Sequence, residues 1–475
     1  MLSQSRTLYA FEREMFERME GLSLSLDEPS PDRQNPIIAA GPAGGPDDGK
    51  ICYTGSVLPW RGGYGMWYQA EDRNRKISRC WARSPDGLTW ERLGAISGED
   101  VHESGNSFNV CSIDGRLLSP LTVLETLQPH QVPDARRRAL AERQMSSGGR
   151  RGITSFVGLA HSTDGAGWTT PGRSPVIPMK LETPRLYRFQ GRFIMNGQSN
   201  GAWFEPPHPS NRIVAFFSSD DLVSWRTHPV CMVNQSHAAT AGQTHCGIVP
   251  IKCIDDRMLI GLGGRFDDAA DLCDQHFDIT LLYSYDGIDW RPAAPELAHR
   301  SWIRRGRTGD WDAGGVVAMG MTENGEDAAV YFHGTAIGNC SHSFPFYDPG
   351  ACAIGRVRFG KDRFASLRPT VGWNAYALKE VAGAHGSITT RPIEHAADHP
   401  FRLNVDIPAG TPASVIIDVL AADGTVYDTA RVAHGGVSVH IPFSQRIPAG
   451  RVRLRLTMTG GQAPDTVPRL FAISY

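Results

Sequence analysis

A seven-residue phrase that occurs four times in the chain constrains the fold more than any other feature. Each copy has Ser first, Asp third and Trp seventh, as in Ser84-Pro85-Asp86-Gly87-Leu88-Thr89-Trp90, and the other copies begin at Ser162, Ser219 and Ser284. The Asp side chain accepts hydrogen bonds from nearby backbone N–H groups, Gly adopts positive φ, and Trp anchors the turn on a neighbouring strand. The phrase therefore predicts a repeated tight turn between strands, not a catalytic site.

The spacing of the copies predicts a β-propeller. Their tryptophans lie roughly 60 to 80 residues apart, which is wide for a solenoid but suits four strands and long loops per repeat. We count five blades in residues 38–370, the last of which has lost the repeated Trp. Loops at one mouth of a propeller channel converge, so functional residues are expected where the innermost strand of each blade begins.

The two ends of the chain predict different structures. Residues 371–475 contain alternating segments separated by Gly, Pro and Asn or Asp, which is typical of a small antiparallel β-sandwich with a structural or sugar-binding role. In residues 1–37, Leu8, Phe11, Met15 and Met19 recur at helical spacing and predict a short helix followed by a linker. The predicted fold is all-β: a five-bladed β-propeller, a C-terminal β-sandwich and a short N-terminal helix.

Composition argues against several classes of partner. The 48 basic and 50 acidic residues give a net charge of −2 without long runs of either sign, so we expect neither nucleic acid nor membrane as a partner. The charged N-terminal segment lacks the plan of a secretion signal, and nine Cys without a C-x-x-C pair suggest free thiols in a reducing compartment. We therefore expect a cytoplasmic protein.

A basic segment around residues 136–151 is long enough for a lid, an oligomer contact or a solvated loop. A homo-oligomer is therefore among the expectations.

Acidic or imidazole groups precede the innermost strand of every predicted blade. They are Asp47 and Asp48, Glu103, Glu182, His245, and Asp310 and Asp312. Carboxyl groups that lie close together in a partly desolvated pocket have different pKa values, so that one is ionised while another stays protonated. Glycosidic bond cleavage uses such a pair, about 5 Å apart for retention of configuration and about 6.5–9.5 Å apart for inversion. The sequence leaves both outcomes open.

Aromatic and planar polar residues accompany these groups and suit a saccharide, whose rings stack on Trp and whose hydroxyl pairs bind Asn, Gln, Arg and carboxylates. They are Trp60, Trp67, Arg185, Gln198, Asn200, Trp203, Arg265, Trp311 and His333. Each also has a structural alternative, since a Trp, a His or a turn Asp is often part of the core or a loop. The chain has no Gly-rich phosphate loop opening a helix and no pair of Cys at metal spacing, so we expect no cofactor and no metal.

The order of three motifs resembles a known family. Gly-Tyr-Gly-Met-Trp-Tyr at 63–68, the first repeated phrase, and Gly-Asp-Trp-Asp-Ala-Gly-Gly at 309–315 are similar to those of the five-bladed propeller glycoside hydrolases. These comprise the invertase and fructanase group, family 32, and the arabinanase and xylosidase group, family 43, of which this chain resembles a divergent member. The resemblance covers roughly residues 38–366.

The resemblance implies three acids with separate roles. The nucleophile or base matches Asp48, or Asp47, and the acid that steadies the transition state is loosely matched by Glu182-Thr183-Pro184, where the invertase group has Arg-Asp-Pro. The general acid is unmatched, because Gln243-Thr244-His245-Cys246 stands where Glu-Cys is expected. Asp312, Glu103 and His245 are the candidates for that role.

The sequence therefore predicts a glycoside hydrolase that acts on a small saccharide, with a furanoside among the candidates. Asp48 is the predicted base or nucleophile, Glu182 its partner and Asp312 the preferred proton donor. The predicted substrate-binding residues are Asp47, Glu103, Arg185, Gln198, Trp203, His245, Arg265, Asp310 and His333. Two alternatives stay open: a glycan phosphorylase in which Arg185, Arg265 and His245 bind phosphate, and a non-catalytic saccharide-binding propeller.

Overall fold

The computed structural model describes most of the chain: residues 6–98, 108–125, 154–170, 177, 181–199, 213–228, 242–267, 275–295, 301–338, 352–374, 379–383, 385–397 and 399–475. Strands make up nearly all of the regular structure in these ranges, and the helical elements described are short 3₁₀ turns such as Arg13–Met15 and Pro464–Thr466. Among the described residues, no helix has the length and apolar character needed to span a bilayer.

Antiparallel units follow one another along the chain after four N-terminal strands. Those four are β1 (Thr7–Tyr9), β2 (Phe16–Glu20), β3 (Leu22–Leu26) and β4 (Ser30–Pro31). Unit I contains β5 (Lys50–Trp60), β6 (Gly63–Glu71), β7 (Ile77–Ser84) and β8 (Glu91–Ala95). Unit II contains β9 (Cys111–Ile113), β10 (Arg116–Glu125) and β11 (Thr154–Ser162), and a bridge between His161 and Thr169 begins a fourth strand.

The remaining units repeat this plan. Unit III contains β12 (Glu182–Phe189), β13 (Arg192–Ser199), β14 (Ile213–Ser219) and β15 (Arg226–Thr227). Unit IV contains β16 (Gly242–Ile254), β17 (Met258–Asp267), β18 (His276–Ser284) and β19 (Arg291–Pro292). Unit V contains β20 (Gly315–Asn324), β21 (Asp327–Thr335) and β22 (Cys352–Gly360), and β4 pairs with β22 as its outer strand. A strand from before unit I thus completes unit V.

The first strands of the units form a closed ring. β5, β9, β12, β16 and β20 contact one another in that order, and β20 returns to β5 in a parallel contact at Gly320 and Val57. Separate apolar clusters lie between neighbouring units, such as Met66 with Tyr331 between units I and V, and Ile194 with Ile248 between units III and IV. Sheets arranged radially around inner strands confirm the predicted β-propeller.

The repeated phrase forms the predicted turns. Asp86 Oδ1 accepts hydrogen bonds from the N–H groups of Leu88 and Thr89 at 2.8 and 3.1 Å, and Ser84 Oγ accepts from Gly87 N–H at 2.8 Å. Asp164, Asp221 and Asp286 accept the equivalent bonds in the other copies. Local side-chain acceptors therefore close each turn, as the sequence predicts.

The last strands build the predicted β-sandwich. They are β23 (Ala365–Pro369), β24 (Val371–Asn374), β25 (Lys379–Ala382), β26 (His385–Thr390), β27 (Ile393–His395), β28 (Arg402–Asp406), β29 (Ser414–Leu420), β30 (Val426–Val432), β31 (Gly436–His440), β32 (Gly450–Thr459) and β33 (Arg469–Ser474). One sheet has the order β3-β23-β33-β28-β31 with β1 beside β33, and the other has the order β2-β26-β32-β29-β30 with β27 beside β32. Alternating apolar residues such as Leu454, Leu456 and Met458 are fully buried in the core of this sandwich.

The predicted N-terminal helix is wrong. Its residues form β1, β2 and β3, which pair with β33, β26 and β23 of the sandwich. Long-range pairing overrides the helical spacing of Leu8, Phe11, Met15 and Met19. The strict alternation Leu22-Ser23-Leu24-Ser25-Leu26 is the strand signal that the helical interpretation missed.

Charged side chains join the sandwich to the ends of units IV and V. Glu12 is fully buried and accepts hydrogen bonds from Arg257, from Tyr285 Oη at 2.9 Å and from Tyr9 N–H at 2.8 Å. Lys252 Nζ lies 2.6 Å from Asp362 Oδ1. Arg257 and Lys252 lie at or just beyond the C-terminal end of β16, so the sandwich packs on the face of the propeller where inner strands end.

Candidate functional site

The starts of the inner strands share one mouth of the channel. Because successive strands of a unit are antiparallel, a fourth strand ends on the face where the first one began, and the next inner strand starts there too. The parallel contact between β20 and β5 shows this common direction. The mouth at the strand starts is therefore the candidate site, and it lies opposite the sandwich.

Four of the predicted residues are not fully described. Glu103 and Trp203 lie outside the described residues, and so does Asn200. His245 lies in β16 opposite Gly264 of β17, and only its backbone is described. The roles predicted for these side chains stay predictions.

Glu182 begins β12 at the mouth and is held by Gln198. The two residues are paired across β12 and β13, and Gln198 Nε2 donates to Glu182 Oε2 at 2.8 Å. The register shifts between Glu182 and Arg185, and Thr183 has a φ of +49° within that bulge. A β-branched residue at positive φ is strained, and bulges of this kind re-aim side chains at functional sites. Gly247 N–H donates to Thr183 Oγ1 at 3.0 Å, so β16 holds the bulge in place.

Asp312 lies in the loop before β20, and its surroundings favour the protonated form. Burial raises the pKa of the Asp312 carboxyl, and the charge of Asp310 raises it further. Gly306 packs closely on this loop, because an added Cβ there would lie 2.2 Å from Asp312 Oδ1. Asp310 itself is exposed, and its Oδ2 accepts a hydrogen bond from Arg307 N–H at 2.7 Å. Asp312 thus has the environment that a proton donor needs.

Asp47 and Asp48 precede β5, and their hydrogen bonds are to unit I and to the loop before β5. Asp47 Oδ2 accepts hydrogen bonds from Arg92 at 2.7 Å and from Tyr68 Oη at 3.0 Å. The two oxygens of Asp48 accept from Gly44 N–H at 2.7 Å and Arg73 N–H at 2.9 Å, and these bonds lower the pKa of the Asp48 carboxyl. Asp48 is only 6% exposed. Both carboxylates therefore hold the loop before β5 against the outer strands of unit I.

Arg185 and His333 lie inside the propeller framework. One terminal nitrogen of Arg185 donates to Gly55 O at 2.8 Å and to Ser56 Oγ at 3.2 Å, and the other donates to Ala318 O at 3.0 Å. Arg185 of β12 thus crosses the ring to β5 and β20. His333 is fully buried with its Nε2 3.0 Å from Ile51 O, and burial lowers its pKa to about 3, so the ring is neutral. These contacts connect strands, and they give no support to the predicted role in substrate binding.

Arg265 and two tryptophans complete the set of predicted residues. Arg265 lies near the mouth end of β17, paired with Asp278 of β18, and is half-buried. Trp60 is the last residue of β5, so it lies at the face opposite the acids, and Trp67 is fully buried between units I and II. The expectation that Trp60 and Trp67 lie beside the acids is wrong, because Trp60 lies at the far end of β5 and Trp67 is buried between units I and II.

A buried charged pair at the mouth was missed by the sequence analysis. Lys50 begins β5 and Glu71 ends β6, with Lys50 Nζ 3.5 Å from Glu71 Oε2, and Lys50 is 2% exposed. Gln69 and Arg79, also buried, are paired across β6 and β7 on the same side of unit I. The signal in the sequence is the polar alternation of Gln69 and Glu71 in an otherwise apolar strand. Buried charges in a cleft mark candidate functional positions.

Comparisons with known proteins find similar solved structures among glycoside hydrolases. No family model matches the chain, and no curated protein matches it. A solved glycoside hydrolase is similar with 13% identity and a TM-score of 0.46, over 70% of this chain and 92% of that one. A family 43 arabinoxylan arabinofuranohydrolase from Bacillus subtilis has 12% identity and a TM-score of 0.39, over 92% of this chain and 96% of that one.

A family 32 β-fructofuranosidase from Bombyx mori is similar over the same extent. It shares 12% identity with a TM-score of 0.38, and the match covers 92% of each chain. The solved structures similar to this chain thus include glycoside hydrolases of both families that the sequence resembles. At these identities and TM-scores the activities of those enzymes are not transferred, and the function of this chain is argued from its own residues.

Proposed function

We propose that this chain is a glycoside hydrolase in which Glu182 and Asp312 act as a carboxylate pair at the propeller mouth. The observation that supports the proposal is their placement at the starts of two inner strands that share one face, in two different environments. Asp312 is half-buried, and its burial together with the nearby charge of Asp310 raises the pKa of its carboxyl. Glu182 is oriented by a hydrogen bond from the side-chain amide of Gln198. Paired carboxyl groups with separate environments are what glycosidic cleavage requires.

The proposed chemistry assigns one step to each carboxyl group. Asp312 donates its proton to the glycosidic oxygen as the bond to the anomeric carbon breaks, so the leaving group departs as an alcohol. The distance between the two carboxyl groups decides the role of Glu182. It either takes a proton from the attacking water, or it attacks the anomeric carbon and forms a glycosyl ester. In the second case the Asp312 carboxylate takes a proton from water, which then hydrolyses the ester and frees Glu182. Gln198, which is 6% exposed, keeps the Glu182 side chain in one orientation during this step. The proposed substrate is a small saccharide, with furanosides among the candidates.

Asp48 has a different proposed role from the one that the family resemblance implies. Its two oxygens already accept backbone hydrogen bonds that connect the loop before β5 to the turn after β6. We propose that Asp48 keeps this loop in place at the edge of the mouth. The Asp48→Asn variant is therefore expected to lose stability more than turnover.

The proposal is tested by a screen of aryl glycosides and short oligosaccharides, followed by variants on the substrate found. Glu182→Gln and Asp312→Asn are expected to lower kcat by about 10²–10⁴-fold, which is the usual contribution of acid or base catalysis. Asp310→Asn is the matched control for kcat at the pH optimum, because Asp310 is an exposed carboxylate two residues from Asp312 and its removal is expected to change the pH dependence without a comparable loss of kcat. Asp312→Asn should keep most of its activity on glycosides with a dinitrophenyl leaving group, which departs without protonation.

Several results would contradict the proposal. Unchanged kcat in Asp312→Asn on an unactivated substrate would remove Asp312 as the proton donor. Turnover that depends on added phosphate would instead identify a phosphorylase, although the terminal nitrogens of Arg185, one of its proposed phosphate ligands, donate to backbone carbonyls. Saccharide binding at the mouth with no product after long incubation would identify a non-catalytic propeller.

A further inference from the structure

An aromatic groove lies on the propeller face opposite the mouth. Within the described residues it has a volume of about 590 Å³ and runs between the β5–β6 turn, the end of β7 and the repeated turns of units I and II. We call it the Trp groove and define it by six of its lining residues: Trp60, Tyr64, Trp81, Arg83, Trp90 and Asp164. The proposed reaction at the mouth uses none of them.

Two of the rings in the Trp groove are fixed by a third that is buried beneath them. Trp67 is fully buried and its Nε1 donates to Gly165 O at 2.9 Å. Trp81 stacks on Trp67 with 6.3 Å between ring centroids, and Trp60 meets its edge at 6.4 Å. Trp60 and Trp81 are themselves half-buried. Rings held in place before a ligand arrives lose little conformational entropy when it binds, which favours affinity.

The rim of the groove combines opposite charges. Arg83 Nε donates to Glu91 Oε2 at 2.7 Å, and the Arg61 guanidinium lies 5.4 Å from the Trp60 ring centroid. Arg61 and Arg83 supply two positive charges, and Glu91 and Asp164 supply two negative ones, so the formal charges of the lining cancel. A rim of this kind offers planar donors and acceptors for pairs of hydroxyl groups and does not select a charged ligand.

From these observations we propose that the Trp groove binds a neutral oligosaccharide, at a site separate from the mouth. Half-buried Trp faces suit the C–H faces of sugar rings, and the volume lies in the range of small-ligand sites. A second groove of about 600 Å³ shares the Trp60–Tyr64 turn and continues past Glu323, which provides room for an extended chain. This binding goes beyond the proposed hydrolysis, since it needs no catalytic group.

The test uses ¹⁹F NMR of the full chain labelled with 5-fluorotryptophan, titrated separately with cellotetraose, xylotetraose and maltotetraose. The resonances are assigned from single Trp→Phe variants. At least one tetrasaccharide is expected to shift the Trp60 and Trp81 signals at millimolar concentration, while Trp311 near the mouth reports binding at the other face. Trigalacturonate should produce no larger shift, because the groove carries no net charge.

Two variants separate a binding role from a structural one. Arg83→Ala leaves the stacked rings in place and is expected to weaken binding at least several-fold, and Trp60→Ala is expected to remove it. Tyr427→Ala is the matched control, since Tyr427 is a 46% exposed aromatic residue of the sandwich. The inference is wrong if no tetrasaccharide moves the Trp60 and Trp81 signals, or if Arg83→Ala and Trp60→Ala bind like the unmodified chain.

Two further outcomes would also overturn it. Signals of Trp60 and Trp81 that depend on protein concentration, with a matching change in sedimentation, would show that a second copy of the chain occupies the groove. Shifts that disappear in Asp312→Asn or Glu182→Gln would place the ligand at the mouth. If Trp60→Ala loses oligosaccharide binding but keeps its turnover at the mouth, binding in the Trp groove and the proposed hydrolysis are independent of each other.

Discussion

Replacing Arg185 with Met tests whether this residue holds the inner ring together or binds substrate. The guanidinium donates from β12 to Gly55 O of β5 and to Ala318 O of β20, and it is only 5% exposed. A buried acceptor that loses its donor costs about 1–3 kcal/mol, so the two carbonyls together account for about 2–6 kcal/mol. Release of the desolvation cost of the guanidinium offsets part of this, and we expect a net loss of about 3–4 kcal/mol.

The expected loss is measurable by thermal unfolding. The shift is about 2–4 °C for each kcal/mol in domains of 150–250 residues and smaller in larger ones, so the apparent melting temperature of Arg185→Met should fall by several degrees. The matched control is Arg188→Met, which changes the same residue type on the same strand. Arg188 forms a surface ion pair with Asp114 at 2.9 Å, and such pairs contribute about 0–1 kcal/mol.

The two possible roles of Arg185 give opposite results. A residue that only bound substrate would raise KM when replaced and leave the melting temperature near that of Arg188→Met. Loss of less than about 1 kcal/mol in Arg185→Met, within the range of the surface control, would refute the assignment of Arg185 to the ring. Arg185→Lys should remain destabilised, because an ammonium group lacks the planar fork that reaches two strands at once.

Three more predictions follow from charged groups in the fold. In Arg257→Met, the fully buried Glu12 carboxylate keeps only its hydrogen bonds from Tyr9 N–H and Tyr285 Oη. The free energy of unfolding, measured by chemical denaturation, should therefore fall by about 3 kcal/mol. For Arg453→Met, which removes a surface ion pair with Glu17, it should fall by about 0–1 kcal/mol. Asp48→Asn should lower the melting temperature at pH 7, and the difference should shrink as pH falls from about 4 through the lowered pKa of Asp48, because this carboxyl adds stability only while it is ionised. A difference at pH 3 as large as the one at pH 7 would contradict this. The kcat/KM of the hydrolase should fall as pH rises through the elevated pKa of Asp312. Asp310→Asn should move this fall to lower pH, because the charge of Asp310 helps to raise the Asp312 pKa. A fall at the same pH in Asp310→Asn would show that another group titrates.

The repeated phrase carried most of what could be predicted about the fold. Its Asp and Gly act locally, so the turns at Asp86, Asp164, Asp221 and Asp286 follow from residues within each phrase. The prediction of an N-terminal helix was wrong because the structure of this segment is not determined locally. β1, β2 and β3 pair with strands more than 300 residues away. Periodicity in a short window contains no information about such partners.

The position of a candidate residue along a strand could be predicted from the sequence, whereas the direction of its side chain could not. Glu182 and Asp312 lie at the starts of inner strands, as the topology of a propeller requires. Asp47 and Asp48 also precede an inner strand, but local N–H donors and Arg92 turn their carboxylates toward unit I. Arg185 donates hydrogen bonds to two other inner strands, and these contacts cannot be predicted without knowing how the inner strands are arranged in the ring.

The N-terminal segment connects the propeller and the sandwich. β4 supplies the outer strand of unit V, whereas β1, β2 and β3 belong to the sheets of the sandwich. Glu12, between β1 and β2, is buried against Arg257 of unit IV. About 30 residues at the start of the chain therefore complete the propeller, complete the sandwich and join them. Deletion of this segment would remove strands from both sheets of the sandwich and the outer strand from unit V, so we expect it to destabilise both domains.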